Sequence, residues 1–405
     1  MFTLEKNMLS DRINRLSESE TLAMTRRCRE LKEKGVDVIN LSIGQPDFNT
    51  PEYIKEAARK ALEQNFTGYP PVNGYADLRN AVCLKLKRDN NLDYQPAQVV
   101  ISTGAKQALA NTILSLINPG DEVILPTPYW VSYRELIKLA EGVTVTVPAT
   151  VANDFKIIPE QLERAITSKS RMFLFSSPCN PSGSVYSRNE LEALVKVFEK
   201  HPEIYIVSDE IYELINFNGK HESIAQFPSV RERVIIINGV SKGFAMTGWR
   251  LGYSVSSHEI AAACDKLQGQ ITSGASSISQ KAAVAAMLTD PSVSEELQHM
   301  VKVFKSRKEL FYKLLCEIPG FVTNNPEGAF YFFPDVTSYF GKKWGYHTIT
   351  NSPDLCNYLI DEAFVATVPG DAFGNPDCIR LSYATSEKEL IEAAHRIKEA
   401  LAKLD

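Results

Sequence analysis

Lys242 and Arg250 stand eight residues apart in the fourteen-residue run Gly239-Val240-Ser241-Lys242-Gly243-Phe244-Ala245-Met246-Thr247-Gly248-Trp249-Arg250-Leu251-Gly252. The run directly follows the apolar stretch Val234-Ile235-Ile236-Ile237, which has the length of a buried strand. In an open α/β sheet ligands collect at the carboxyl ends of strands. A lysine placed there loses hydration, its pKa falls, and Schiff-base chemistry becomes accessible to it. Arg250 adds a fixed cation suited to a phosphate. An isolated pair of this kind reads as surface residues of a glycine-rich loop, whereas the whole run is far more specific.

Asp209 closes a second apolar run, Ile204-Tyr205-Ile206-Val207-Ser208, with Tyr212 three residues on. A strand-end carboxylate can cap a helix. Beside a heteroaromatic nitrogen it would instead keep that nitrogen protonated and make the ring an electron sink, while Tyr212 could hydrogen-bond a ring oxygen. Asn180 lies in Ser176-Ser177-Pro178-Cys179-Asn180-Pro181-Ser182-Gly183, after a third apolar run. Asn-Pro-x-Gly is a common turn, and Asn180 in it stands where a ring substituent could be held. Ser102-Thr103-Gly104-Ala105-Lys106-Gln107 joins strand to helix, so its backbone N–H groups can hold a phosphate at a helix amino terminus, although many such turns look alike.

The elements that must position these groups follow from the pattern. Between residues 98 and 255 short β-branched runs alternate with helical patterns, predicting an α/β domain with a mainly parallel sheet. Strands are expected at Val99–Ser102, Glu122–Pro126, Val143–Pro148, Arg171–Ser176, Ile204–Ser208, Val234–Asn238 and Leu251–Val255. Ser187 with Glu190 forms a capping box that opens a helix through Glu199. Ser292 with Glu295 predicts a second box opening a helix toward Ile318, and a strand-rich tail then ends in a helix over Glu387 to Leu404. The expected division is a large domain over 51–295, flanked by helices, and a smaller α+β domain built from both chain ends, 1–50 and 296–405.

Composition excludes several function classes. The 405 residues carry a formal net charge of −5, with no dense basic stretch, so neither nucleic acid nor an acidic lipid surface is an expected partner. Met1 to Glu20 lacks the apolar core of a signal peptide, and no apolar run approaches a membrane span. The seven cysteines are scattered without a C-x-x-C pair, the pattern of free thiols in a reducing, cytoplasmic setting. The six histidines show no metal-site spacing, and no bound metal is expected. No G-x-G-x-x-G follows the first strand, which sets a dinucleotide-binding dehydrogenase aside.

Together, Lys242 with Arg250, Asp209 with Tyr212, Asn180 and the Gly104-Ala105-Lys106 turn resemble the cofactor site of the aspartate-aminotransferase family, class I/II and fold type I. The resemblance runs from Ser42-Ile43-Gly44-Gln45-Pro46-Asp47-Phe48 through Pro128-Tyr129-Trp130 to Cys378-Ile379-Arg380-Leu381-Ser382-Tyr383-Ala384. It implies pyridoxal 5'-phosphate bound covalently to Lys242, which also shuttles the proton. Asp209 would pair with the pyridine nitrogen, Tyr212 and Asn180 would hold the ring oxygen, and Trp130 would stack on the ring. The phosphate would sit on Gly104, Ala105 and Lys106 with Arg250.

Tyr69 resembles the tyrosine lent to a neighbouring subunit's phosphate, which implies a homodimer with shared active sites. Arg380 resembles the arginine that grips the substrate α-carboxylate beside the Gly44 backbone. The implied substrates are amino acids and 2-oxo acids, with aspartate and 2-oxoglutarate leading. Aromatic, prephenate-like or neutral amino acids are the alternative, and a β-lyase on the same fold a more distant one.

Three positions depart from the family pattern. Gly239 replaces a hydroxyl residue that many relatives use as a phosphate donor. No partner arginine for a distal carboxylate is evident, whereas Lys106 matches the lysine that a bacterial branch uses after Gly-Ala. Glu20, in Ser17-Glu18-Ser19-Glu20-Thr21, falls in a segment that lies over the substrate in relatives, where an acid could repel an acidic side chain.

Overall fold

The computed structural model describes residues 9–18 and 20–405. Met1 to Met8 and Ser19 lie outside the described residues, and part of the amino-terminal leader reading falls there. The expected strands all form, as β1 (Val99–Ser102), β2 (Glu122–Thr127), β3 (Val143–Pro148), β4 (Ser170–Ser176), β5 (Tyr205–Asp209), β6 (Val234–Gly239) and β7 (Gly252–Val255). They join one seven-stranded sheet in the order β1-β7-β6-β5-β4-β2-β3. Every residue of β6 is buried, because a sheet covered by helices on both faces demands a continuous apolar strand. β3, with its alternating Val-Thr-Val-Thr, is the half-exposed edge.

The pairings explain why the candidate residues meet. β2 to β6 run parallel, and β7 is antiparallel to both β6 and β1. In register, Gly252 lies opposite Ser102 on one side and Gly239 on the other. The ends of β1, β4, β5 and β6 and the start of β7 therefore share one edge of the sheet. That edge carries the turns holding Gly104, Asn180, Asp209, Lys242 and Arg250.

The helix Arg188–Phe198 opens on the expected Ser187/Glu190 box, with Glu190 Oε2 accepting from the Ser187 backbone N–H at 2.7 Å. The second expected box is a correction. The long helix Glu295–Cys316 is capped by Ser294, whose hydroxyl accepts from the Leu297 N–H, whereas Ser292 donates its hydroxyl to Asp290 at 2.7 Å. The carboxyl-terminal part forms a small antiparallel sheet, with Ile379–Ser382 between Val368–Pro369 and Tyr331–Phe332, and ends in the helix Glu387–Leu401. Ile39–Asn40 pairs in parallel with Val365–Ala366, tying the amino-terminal segment to this part. All seven cysteines are free thiols. Among the described residues no helix is long and apolar enough to cross a membrane.

Candidate active site

A cavity of about 500 Å³ opens at that sheet edge. Lys242 reaches it from the loop after β6 and donates from Nζ to the Gly44 carbonyl at 2.5 Å. Burial, then Arg380 and Arg250, lowers its pKa to about 8, so a neutral amine is within reach near physiological pH. Asp209, the last residue of β5, is buried, and its Oδ2 accepts from the Tyr133 hydroxyl at 2.6 Å. Burial raises its carboxyl pKa to about 6, against the opposing pull of the Tyr133 and Ile211 hydrogen bonds. A positive group placed beside Asp209 would restore its full charge.

Arg380 comes from the central strand of the small sheet and is only 1% exposed. Its Nη1 donates to Asn180 Oδ1 at 3.0 Å and its Nη2 to the Ser42 carbonyl at 2.7 Å, while the buried Nε has no acceptor. Among the described residues no carboxylate pairs with it. The rings of Tyr331 and Phe373 flank the guanidinium, their centroids 4.6 and 5.0 Å from it. A buried guanidinium without a counter-charge is costly unless an anion completes it. Tyr212 shares a 2.9 Å hydrogen bond with Tyr331, and burial holds its pKa well above the ordinary phenol value.

The phosphate-type turn is built by close approach. Gly104 has φ +82°, and a Cβ on it would lie 2.4 Å from Arg250 Nη2; a Cβ on Gly252 would lie 2.2 Å from the Ala105 nitrogen. Arg250 thus lies over the start of the helix Ala105–Leu116, whose first N–H groups have no intrahelical acceptor. Arg250 itself adopts the left-handed region at φ +52°, a conformation of modest cost that collects at functional sites. Lys106 Nζ stands 5.0 Å from the Trp130 ring centroid, and its pKa is lowered by partial burial and then by Arg250.

Packing accounts for Gly239. A Cβ there would fall 2.8 Å from Gly252 Cα and 2.9 Å from the Leu251 carbonyl oxygen, so the strand pairing leaves no room for a hydroxyl residue. Ser241, buried in the cavity wall beside Lys242, brings a hydroxyl to the same loop. It was not singled out from sequence, and neither were Tyr133 and Tyr331. Spacing along the chain carries no signal for any of the three, and the partners of both tyrosines come from other elements.

Two expected residues stand apart from the cavity. Tyr69 is 99% exposed and does not line the cavity of its own chain. Glu20 is exposed at the start of the helix Glu20–Glu33, while Thr21, Leu22 and Thr25 of that helix face the cavity. Behind Asp209, ligand-type atoms of Glu210, Glu213 and His221 lie within 4.8 Å of one another. Lys85 pairs with Glu213, and His221 Nε2 stands 3.1 Å from Glu210, so two bases balance the two acids and the group reads as an ion-pair network. In the cavity wall, by contrast, the cations Lys106, Lys242, Arg250 and Arg380 face Asp209 as the one carboxylate among the described lining residues.

Residues 36–397 match the sequence model of a family described as aminotransferase class I and II. A Petunia hybrida protein named bifunctional aspartate aminotransferase and glutamate/aspartate-prephenate aminotransferase is 47% identical over 97% of this chain and 82% of its own length. An aspartate aminotransferase of Bacillus subtilis (strain 168) is 45% identical over 98% of this chain and 99% of its own. The crystal structure of the aspartate aminotransferase from Rhizobium meliloti superposes with a TM-score of 0.94 at 39% identity, covering 99% of this chain and 100% of that one. The Thermus thermophilus aspartate aminotransferase solved with maleate gives a TM-score of 0.91 at 36% identity, covering 98% and 100%.

Proposed function

The chain belongs to the class I and II aminotransferases, and from that premise we propose that it binds pyridoxal 5'-phosphate through Lys242 and transfers the amino group of aspartate to 2-oxoglutarate, giving oxaloacetate and glutamate by a ping-pong route. One observation carries the reading: the cavity sets four cations against a single carboxylate, the balance wanted by a phosphate together with a dicarboxylic substrate. When bound, the cofactor supplies an aldehyde to capture the amine and a ring that withdraws electrons. The residues fit it. The Gly104-Ala105 turn, Arg250 and Ser241 surround the room for a phosphate, and Trp130 offers a ring face.

In this reading the side chains divide the work, and Lys242 takes two parts of it. Lys242 anchors the cofactor and then moves the proton at the substrate α-carbon. Asp209 keeps the pyridine nitrogen protonated, and Tyr212 and Asn180 hold the ring oxygen. Arg380 grips the α-carboxylate beside the Gly44 backbone. Lys106 reads the distal carboxylate from above Trp130. The relatives named as aspartate aminotransferases and the dicarboxylate bound to the Thermus enzyme support an acidic substrate. A prephenate-like or aromatic partner is the second reading, favoured by Leu22, which is 68% exposed, and Ile43 at the cavity wall. The division into a cofactor-holding domain of 51–295 and a small domain of 1–50 and 296–405 belongs to the same proposal. So does a reducing, cytoplasmic location, consistent with free thiols throughout.

An amino-donor panel against 2-oxoglutarate, with absorbance of the bound cofactor, tests this reading. Aspartate and glutamate should lead in kcat/KM, and a colourless protein that cannot be loaded with pyridoxal phosphate would refute it. Lys106→Ala should cost the acidic donors about 10- to 100-fold more than alanine or phenylalanine, as expected for one charge-assisted hydrogen bond of roughly 1.5–3 kcal/mol. Equal losses across donors would remove the carboxylate-reading role. Glu20→Ala should leave aspartate turnover unchanged, because that carboxylate faces solvent.

Tyr69, exposed on its own chain, is proposed to serve the phosphate of a second copy. Mixing Tyr69→Phe with Lys242→Ala chains should then restore activity, because each mixed dimer contains one site with both residues intact. A fully active monomer would contradict shared sites.

A further inference from the structure

Tyr133 is the second residue of the helix Ser132–Leu139 and is 1% exposed. Its ring meets Trp130 edge-on with centroids 5.6 Å apart, and its backbone N–H donates to the Trp130 carbonyl at 2.9 Å. The hydroxyl is therefore held where it can reach only a limited set of groups, and it donates to Asp209 Oδ2 at 2.6 Å. The other oxygen, Oδ1, accepts the Ile211 N–H at 3.2 Å. Resting on the pyridoxal-phosphate reading, we infer that Tyr133 is a positioning residue that keeps the Asp209 carboxylate ionised and aimed at the pyridine nitrogen.

The physical need is plain. Asp209 is buried at the sheet edge, and Glu210 follows it outside the cavity lining, where its negative charge disfavours a second carboxylate beside it. Lys242, which also lines the cavity, opposes that effect. His221 faces Glu210 rather than Asp209, at 3.1 Å, so it compensates the neighbour and not the carboxylate itself. Cys179 and Ser176 pack near Tyr133, and burial holds both the Tyr133 phenol and the Cys179 thiol neutral. The phenol thus stays a donor throughout the working pH range. Its short hydrogen bond, with the weaker Ile211 N–H, favours the charged form, and burial pushes Asp209 the other way.

The test uses cofactor binding. A pyridine nitrogen and Asp209 share one proton in the bound state. Below the carboxyl pKa a second proton must leave before binding, so affinity falls as pH drops through that value. Loss of the Tyr133 donor raises the carboxyl pKa. Pyridoxal phosphate titrations of the cofactor-free chain, followed by protein fluorescence across about pH 5 to 9, should place this fall roughly one to two pH units higher in Tyr133→Phe than in the natural chain. Ionisation of Lys242 is common to both proteins and cancels in the comparison. In an Asp209→Asn background, Tyr133→Phe should shift nothing further. Superimposable profiles for the natural chain and Tyr133→Phe overturn the inference, as does an equal loss in the Asp209→Asn background, which would assign Tyr133 to packing alone.

Should Tyr133→Phe not fold, a fluorinated tyrosine at position 133, a stronger donor of nearly the same shape, should move the fall to lower pH, and no movement overturns the inference. A natural chain that binds no pyridoxal phosphate at any pH instead defeats the cofactor reading on which the inference rests.

Discussion

Lys242→Ala should still take up pyridoxal phosphate but lose the visible absorbance of the covalent linkage, and it should turn over at least about four powers of ten more slowly, a barrier increase of about 5.5 kcal/mol. The size follows from two losses at one atom. The Nζ that links the cofactor is also the base at the substrate α-carbon, and in the cavity its hydrogen-bond partner is the Gly44 carbonyl, which cannot replace it as a base. Cofactor uptake should survive, because Asp209, Arg250 and the Gly104 turn reach the cavity without the lysine. The natural chain adds a pH signature. Only the neutral amine attacks a carbonyl, and the Lys242 pKa is lowered to about 8, so covalent loading should accelerate as pH rises toward 8 and level off above it. Turnover within tenfold of the natural chain in Lys242→Ala would remove the lysine from the chemistry.

The strand ends that hold Lys242, Asp209 and Asn180 were legible because each follows an apolar run too short for a helix, and the observed strands begin and end within one residue of expectation. Parallel sheets bury such runs on both faces, so apolar continuity and position were visible together. Ser292 misled for a local reason. Ser292 and Ser294 both stand just before the helix, and sequence spacing could not show that Asp290 would capture the first and leave the second to cap. Tyr133, Tyr331 and Ser241 were not legible, because their roles depend on what faces them across the cavity: Asp209 lies seventy-six positions from Tyr133, and Tyr331 reaches Tyr212 from the small sheet. Gly239 was visible as an absence of hydroxyl; that its place admits no side chain emerged only from the approach of Gly252. The helix carrying Glu20 was placed over the substrate by resemblance, yet its rotation decides what it contributes. Rotation turns Thr21, Leu22 and Thr25 inward and leaves the acid in solvent.

Arg380→Lys should lower kcat/KM about 100- to 10,000-fold for every amino-acid donor alike, whatever its side chain. The charge survives the substitution, so a purely electrostatic role would predict a mild effect. The geometry predicts otherwise. Two of the guanidinium nitrogens are committed to Asn180 and the Ser42 carbonyl, and the planar fork, wedged between Tyr331 and Phe373, is aimed without freedom to swing. A lysine ammonium cannot keep both bonds and still present two parallel donors to a carboxylate. It also leaves the Asn180 oxygen without its partner, and Asn180 is proposed to hold the cofactor ring. Two charge-assisted hydrogen bonds at roughly 1.5–3 kcal/mol each bound the loss, and part of it should appear in kcat because orientation of the α-carbon toward Lys242 suffers with binding. The contrast with Lys106→Ala is diagnostic: one variant loses all donors equally, the other loses the acidic ones. Stability should not follow activity. Either side chain is a buried cation with no counter-ion and carries a comparable desolvation cost in the free protein, so Arg380→Lys should melt near the natural midpoint. A non-reacting dicarboxylate should raise the melting temperature of the natural chain and fail to raise that of the variant. A variant that keeps both the ligand-induced shift and donor turnover within tenfold would show that the α-carboxylate is gripped elsewhere.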